Sequence, residues 1–210
     1  MYAIVEDKKV VKTFNNPKKL VINNVRYSTK IYSLWSVAEK KAIGLYEVEY
    51  DNSKKKNEEW YINTNQTIAY KTTGDKVVAS YGTATAKKIA DTLWTEQDKT
   101  DGLIPSDKDV GDVATEGLKT IKKRMIDNQC AGILAPSDWM VVKATETGTT
   151  MDSGWKTWRA NVRTKCNSMQ TQIDSASDVD ALATLFTYTN TGTEENPVIE
   201  RPLGEFPIKE

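Results

Sequence analysis

Histidine is absent from all 210 residues of the chain. It is the side chain that ordinarily titrates near neutral pH, the most frequent general base and a common zinc ligand. Its absence excludes the Ser-His-Asp and Cys-His nucleophile arrangements. The two cysteines, Cys130 and Cys166, are far apart in sequence and lack the paired spacing of a zinc site. Carboxylate, lysine or Mg²⁺ chemistry stays open, but no motif in the sequence indicates it.

Net charge is also absent, because 29 Lys and Arg residues balance 29 Asp and Glu residues. Nucleic-acid binding needs a basic surplus, so we expect no nucleic-acid partner. No apolar run approaches the roughly 18 residues of a membrane helix, so we expect no membrane partner. Residues 1–7 lack the basic and apolar regions of a signal peptide. Cytoplasmic synthesis with two reduced thiols is favoured over a disulfide between the helices that carry them.

Residues 1–82 predict a small β-rich domain with one helix. Tight turns are indicated at Asp7-Lys8-Lys9, Asn23-Asn24 and Gly74-Asp75, between short apolar runs. A helix is predicted at 34–43, between Ser33 as its N-cap and Gly44 just past its end. The predicted buried face of that helix consists of Leu34, Trp35, Ala38 and Ala42.

The remaining sequence predicts a linker, a helical domain and an arm. Residues 83–112 are polar and contain glycine and proline, which is typical of a linker or surface loop. Residues 113–190 predict helices, and residues 191–210 predict an extended C-terminal arm. The fold class expected for the whole chain is therefore α+β.

Three helices are predicted in the helical domain. The first follows Asp112 as N-cap and turns inward Leu118, Ile121, Met125 and Ile133. Residues 139–143 are apolar and β-branched, which predicts an extended segment. The clearest helix, capped by Ser153, carries an apolar stripe: Trp155, Trp158, Val162, Cys166, Met169 and Ile173. The last helix starts at Ser177, with Asp180 three residues on, and its buried face is Val179, Leu182 and Leu185.

Several residues are candidates for contact with a partner protein. Trp60 and Trp94 lie close to polar turns, whereas the other tryptophans in apolar patterns, Trp139 included, are predicted to be core residues. Arg159 and Arg163 share one helix face, where they either pair with Asp138 or Glu146 and brace the helices or contact a partner. In the arm, Leu203 and Phe206 can dock on a surface, together with Val198 and Ile199.

Two charged clusters carry alternative interpretations. Oxygen ligands at short spacing suit Ca²⁺, but the pattern of a calcium loop is missing, which favours a solvated loop. The acidic residues concerned are Asp98, Asp101, Asp107, Asp109 and Asp112. A basic cluster on the helix at 113–134 is interpreted as an ordinary solvated face; it comprises Lys119, Lys122, Lys123 and Arg124.

A resemblance to a known family is carried by residues 136–163. Pro136-Ser137-Asp138-Trp139, followed by Trp155-Lys156-Thr157-Trp158-Arg159-Ala160-Asn161-Val162-Arg163, resembles the D-W … W-x-x-Y-R-x-x-L-R module of bacteriophage tail fibre assembly and tail assembly chaperone proteins. Trp158 stands where that family has tyrosine, and Val162 where it has leucine. Both replacements keep an apolar residue on the stripe.

The wider layout resembles proteins of marine tailed bacteriophages. The segments that carry this likeness are 35–44, 61–66, 82–87 and the end Arg201-Pro202-Leu203-Gly204-Glu205-Phe206-Pro207. The resemblance implies a virion or virion-assembly protein without catalysis or cofactor. Its expected partners are other phage structural proteins of the tail, fibre or adaptor, with several copies forming a homo-oligomer.

Three functions follow as hypotheses. The first is a non-enzymatic structural component of a tailed-bacteriophage particle, made in the host cytoplasm and retained in the virion. The alternative is a tail fibre assembly chaperone that is not retained in the mature virion. The third, a carboxylate-based polysaccharide hydrolase, is disfavoured because such an enzyme needs two carboxylates facing each other across a cleft, roughly 5 to 10 Å apart.

Overall fold

The computed structural model of the chain describes residues 1–209, which form two compact units with a boundary at Thr85/Ala86. Strands account for 22% of the residues and helices for 36%, with the sheet in the N-terminal region and the main helices in the C-terminal region. The predicted α+β class is therefore confirmed. No helix within residues 1–209 is both long and apolar enough to cross a membrane.

The first unit, Met1–Thr85, is built on a five-stranded sheet with the strand order β2-β1-β5-β8-β7. Neighbouring strands are antiparallel except for β5 and β8, which are parallel. The elements of this unit are β1 (Tyr2–Glu6), β2 (Lys9–Phe14), β3 (Leu20–Ile22), β4 (Val25–Tyr27), α1 (Ile31–Leu34), α2 (Val37–Ala42), β5 (Leu45–Asp51), β6 (Tyr61–Ile62), β7 (Thr67–Lys71) and β8 (Lys76–Ser80), and β9 (Thr85–Ala86) lies at the boundary.

Both faces of this sheet bury apolar side chains, because side chains alternate along each strand. On one face the edge strands β2 and β7 contact each other, so the sheet curls around a first cluster. On the other face the hairpin β3–β4 and helix α1 supply side chains to a second cluster. The first cluster is Ala3, Tyr46, Val48, Val77 and Ala79, and the second is Ile4, Leu20, Ile22, Ile31 and Leu45.

The predicted turns of the first unit are confirmed. Asp7, Asn23, Asn24 and Asp75 have positive φ, as two-residue hairpin turns require. The predicted helix at 34–43 is wrong in detail: α1 ends at Leu34, and α2 starts after Ser36, whose side chain and Glu39 form a capping box. Leu34, Ala38 and Ala42 are exposed, and the aliphatic stem of Lys40 is buried instead.

The second unit, from Ala86 onward, is mainly helical. Its elements are β10 (Thr92–Leu93), α3 (Glu96–Thr100), β11 (Val113–Thr115), α4 (Leu118–Leu134), a single 3₁₀ turn (Ala135–Ser137), α5 (Asp138–Thr147), α6 (Ser153–Ser175), α7 (Val179–Phe186), β12 (Thr189–Asn190) and β13 (Ile199–Glu200). Residues 83–112, predicted as a linker or surface loop, hold α3 within the hairpin β10–β11. Trp94 closes that hairpin, since its N–H donates to Asp112 O (2.9 Å) and its carbonyl accepts from Gly111 N (2.9 Å).

The core of this unit lies between α4 and α6. The buried residues of α4 recur every fourth position, namely Leu118, Lys122, Ile126, Cys130 and Leu134. The predicted buried face of α4 is wrong apart from Leu118, because Ile121 is exposed and Met125 and Ile133 are only half-buried. In α6 the predicted stripe is confirmed from Val162 to Ile173, whereas Trp155 and Trp158 are half-buried.

Three predicted N-caps of the second unit are wrong, by one to five residues. Helix α4 starts after Gly117 rather than Asp112, because β11 occupies residues 113–115. Helix α6 is capped by Asp152 and α7 by Asp178, each of which accepts a hydrogen bond from the N–H three residues on. The cap of α6 thus lies one position before the predicted Ser153, and the cap of α7 lies one position after the predicted Ser177.

The C-terminal arm docks on α6 and α7 of its own chain. Leu203 is fully buried, and its N–H donates to Leu185 O (3.1 Å). Its carbonyl accepts from Lys165 Nζ (2.9 Å), and farther along Pro207 O accepts from the Trp158 indole N–H (3.0 Å). The arm begins as a hairpin, β12–β13, rather than as an extended segment.

Candidate functional site

Helix α5 leaves an apolar surface uncovered. Each of its ten residues is exposed or half-buried, although half of them are apolar. Trp139 is 57% exposed, and Val141 and Val142 are exposed beside it. An apolar cluster of this kind on a protein surface is a candidate interaction site. The prediction that Trp139 is a core residue is therefore wrong.

Local signals explain why residues 138–147 form a helix rather than the predicted extended segment. Pro136 occupies the 3₁₀ turn that leads into α5, and Asp138 lies in the first turn, where a carboxylate is favourable. Gly148 ends the helix with a left-handed backbone, φ 63°. These end signals outweigh the strand preference of Val141 and Val142.

Arg159 fastens α5 to α6. Its guanidinium is buried and donates to Leu134 O (2.9 Å), to the Ser137 hydroxyl and to Asp138 Oδ1 (2.5 Å). The Ser137 hydroxyl also donates to Leu134 O (2.8 Å), so the carbonyl at the end of α4 accepts two hydrogen bonds. The predicted bracing by Arg159 and Asp138 is thus present.

A cleft of about 400 Å³ opens between α5 and the first half of α6. We call it the α5–α6 cleft. One wall is apolar, with Val141, Ala144 and Met151, and the rim carries three threonine hydroxyls, from Thr145, Thr149 and Thr150. The opposite wall carries three cations of α6, from Lys156, Arg159 and Arg163. The cleft therefore suits an anionic group attached to an apolar one.

A second cleft, of about 310 Å³, adjoins the first at the α5–α6 connection. The two share Ala144, Thr149, Thr150 and Met151, and the second adds two aromatic rings, Trp139 and Trp155. Lys143 lies 5.9 Å from the centroid of the Trp139 ring, and Lys209 lies 5.3 Å from that of Trp155. We call helix α5 with its two clefts the α5 region. Its apolar surface is edged mainly by positive charge, because four cations and one carboxylate line the clefts: Lys143, Lys156, Arg159, Arg163 and Asp152.

The residues predicted as contacts are dispersed by the fold. Trp60, Arg159 and Leu203 are buried in their own units, so they serve packing and are not available at the surface. Trp94 and Phe206 are half-buried, and Arg163 is exposed in the α5–α6 cleft. Sequence reasoning missed Trp139 and Lys156. The available signal was the run from Trp139 to Val142, because four consecutive apolar residues point around a full helical turn and cannot all face one neighbour.

The two charged clusters are used within the chain. Asp98 belongs to the capping box of α3, and Asp112 accepts from Asp109 N (2.9 Å). In the basic cluster, Lys123 pairs with Asp174 (2.8 Å) and Arg124 with Glu116. Hydrogen bonds from Thr95 lower the pKa of Asp98, and those from Arg124 lower the pKa of Glu116. These contacts stabilise helix ends and helix faces.

The two cysteines lie together in the core between α4 and α6 as free thiols. Burial, with Cys130 beside it, raises the pKa of Cys166 to about 11. A thiol of that pKa is protonated at neutral pH and therefore a poor nucleophile.

Comparison of the chain with known proteins gives no match: no family model, no curated protein and no solved structure corresponds to it.

Proposed function

We propose that this chain is a non-enzymatic structural component of a tailed-bacteriophage particle, in the tail, fibre or adaptor, and that it acts through protein–protein contacts at the α5 region. The observation that carries the proposal is the ion pair between Asp138 and Arg159. These two residues come from the two halves of the module that resembles phage tail assembly proteins, and their contact leaves Trp139 and Arg163 at the surface.

The α5 region has the composition of a contact site. Tryptophan and arginine are the residues most enriched where truncation costs the most binding energy. Trp139 offers a large ring on a helix whose position Arg159 fixes. Binding at this ring therefore costs little conformational entropy. Val141 and Val142 extend the apolar area around that ring.

The chemistry of the cleft favours binding over catalysis. Of the described residues that line the α5–α6 cleft, none is a carboxylate, so the cleft holds no pair of acids for glycoside hydrolysis. Lysine, arginine and threonine do not accept a proton readily at neutral pH without a partner that activates them. The same groups bind carboxylates well.

The test is mass spectrometry of purified particles produced from the genome that encodes this chain. We expect the chain in stoichiometric amounts, and its absence from mature particles contradicts the proposal. A second arm compares Trp139→Ala with Leu34→Ala, since Leu34 is an apolar residue of the first unit that is more exposed than Trp139, 73% against 57%. Only Trp139→Ala should reduce incorporation into particles.

The alternative, a fibre assembly chaperone, is favoured by the resemblance of residues 136–163. Mass spectrometry of the same particles distinguishes it from a retained subunit. A chaperone is present in infected cells but missing from mature particles. Coexpression with the fibre gene then decides, because fibre solubility and trimer formation depend on a chaperone and not on a retained subunit.

A further inference from the structure

Two cations of the α5–α6 cleft are unsatisfied. Within residues 1–209, the side-chain cations of Lys156 and Arg163 make no hydrogen bond or ion pair, in contrast to the guanidinium of Arg159 between them. They are seven residues apart, so they project from the same side of α6, about 10 Å from one another along the helix axis. Such a pair of free cations is arranged to receive two carboxylates or one acidic segment.

An acidic segment with matching properties is exposed elsewhere in the same unit. Residues 191–198 connect β12 and β13, and together with Ile199, the first residue of β13, we call them the acidic turn. Glu194 and Glu195 are exposed at its tip and, among the described residues, have no ion-pair partner. Val198 and Ile199 follow them, and Ile199 is 60% exposed. The acidic turn thus combines negative charge with apolar side chains, whereas the cleft combines positive charge with apolar side chains.

The acidic turn is held in one shape before any contact. Asn190 Oδ1 accepts hydrogen bonds from Gly192 N (3.0 Å) and Val198 N (2.9 Å), and Thr193 N donates to Asn196 O (3.1 Å). A Cβ at position 192 would lie 2.3 Å from Asn196 O, so only glycine allows this closure. Because the turn is already ordered, its docking costs little conformational entropy.

The acidic turn and the cleft do not meet within one chain. The arm that follows the turn is fixed to the side of α6 that carries Lys165, through the bond from Lys165 Nζ to Leu203 O. Arg163 is two residues earlier, which places its side chain about 200° around the helix from Lys165. The docked arm and the cleft therefore lie on opposite sides of α6. Within residues 1–209 no hydrogen bond or ion pair joins the acidic turn to the cleft, so each surface is accessible to another molecule.

We propose that the acidic turn of one copy binds in the α5–α6 cleft of a second copy. Glu194 and Glu195 would pair with Lys156 and Arg163, while Val198 and Ile199 would cover Trp139 and the apolar wall. Because the two surfaces differ, the contact is head-to-tail, and its repetition closes a ring or extends a filament. Zero formal net charge opposes this association less than a large charge of one sign would.

This inference deepens the proposed function, since it names the partner at the α5 region as a further copy of the chain. Self-association of the purified protein is measured without any phage particle. The two proposals therefore fail separately: a chain that associates but is missing from particles contradicts only the proposed function, and a monomer found in particles contradicts only this inference.

The experiment is sedimentation velocity on the full chain over a range of protein concentrations at low and high salt. We expect concentration-dependent association that weakens with salt, because exposed ion pairs are screened. A cleft variant, Lys156→Glu with Arg163→Glu, and a turn variant, Glu194→Lys with Glu195→Lys, should each associate at least tenfold more weakly. A control variant, Lys9→Glu with Lys12→Glu, changes net charge as the cleft variant does and should associate like the original chain.

Mixing the two defective variants provides the decisive measurement. The acidic turn of the cleft variant fits the unchanged cleft of the turn variant, and the reversed turn fits the reversed cleft, so the mixture should regain association. Circular dichroism of each variant verifies that it is folded. A monomeric original chain at its highest soluble concentration, or a mixture no more associated than its components, overturns the proposal.

Discussion

Replacement of Arg159 is the perturbation that tests how α5 is held. In Arg159→Lys the positive charge is kept, but a single ammonium cannot reach Leu134 O, Ser137 and Asp138 in the planar geometry of the guanidinium. In Arg159→Met the aliphatic stem is kept and the charge is removed. The two variants therefore separate hydrogen-bond geometry from charge.

The magnitude follows from which of these bonds are buried. Leu134 and Ser137 are buried, so each lost bond from the guanidinium contributes about 1–1.5 kcal/mol. Asp138 is 59% exposed, so its ion pair contributes less than about 1 kcal/mol. Ser137 still donates to Leu134 O, which limits the loss. We expect Arg159→Lys to reduce the free energy of unfolding by about 2–3 kcal/mol, as a sum of these bonds.

Arg159→Met should be no worse than Arg159→Lys, because it removes the need to bury a charge. Ser137→Ala should cost about 1 kcal/mol, and Asp138→Asn less than that.

The assay is urea unfolding followed by circular dichroism at 222 nm, which reports mainly on the helices of the second unit. Hydrogen exchange of the α5 amides then shows whether the loss is local. An Asp138→Asn variant that loses as much stability as Arg159→Lys would show that the exposed ion pair dominates, contrary to this expectation. An Arg159→Lys variant as stable as the original chain would contradict it as well.

Three further predictions concern the docking of the arm, a glycine with positive φ and the pH dependence of stability. Leu203→Ala should cost about 2–5 kcal/mol, because the side chain is fully buried, and should raise the hydrogen-exchange rate of the arm; unchanged exchange contradicts the docked arm. In urea unfolding, Gly44→Ala should destabilise the first unit by more than Gly74→Ala does. Both glycines have φ near +80°, so the backbone cost of alanine is similar at the two positions. A Cβ at Gly44 would lie 2.5 Å from Val5 O, whereas a Cβ at Gly74 would meet only a side chain, at 3.8 Å. Hydrogen bonds from two tyrosines, with a lysine beside them, lower the pKa of Asp75, so its contribution to stability is present above the unfolded pKa of about 3.9 and is lost as pH falls through the lower folded value. The gap in melting temperature between the original chain and Asp75→Asn should therefore narrow from pH 5 towards pH 2, and a constant gap contradicts this.

Local chemistry in the sequence determined the hairpins and the long helix. Asn23-Asn24 and Gly74-Asp75 make turns because these residues tolerate positive φ, a property that needs no distant partner. The apolar period from Val162 to Ile173 determined α6 in the same way, since one helix face must be covered.

Tertiary structure alone decided which surfaces are left open. Arg159 is buried because Leu134 and Ser137 supply acceptors from the end of α4, more than 20 positions away in sequence. The arm covers its own α6, which its extended pattern could not distinguish from covering a neighbour. Trp60 is buried and Trp139 exposed, the reverse of the prediction from their neighbours. A side chain's burial depends on what the rest of the chain places over it, and that information is not local.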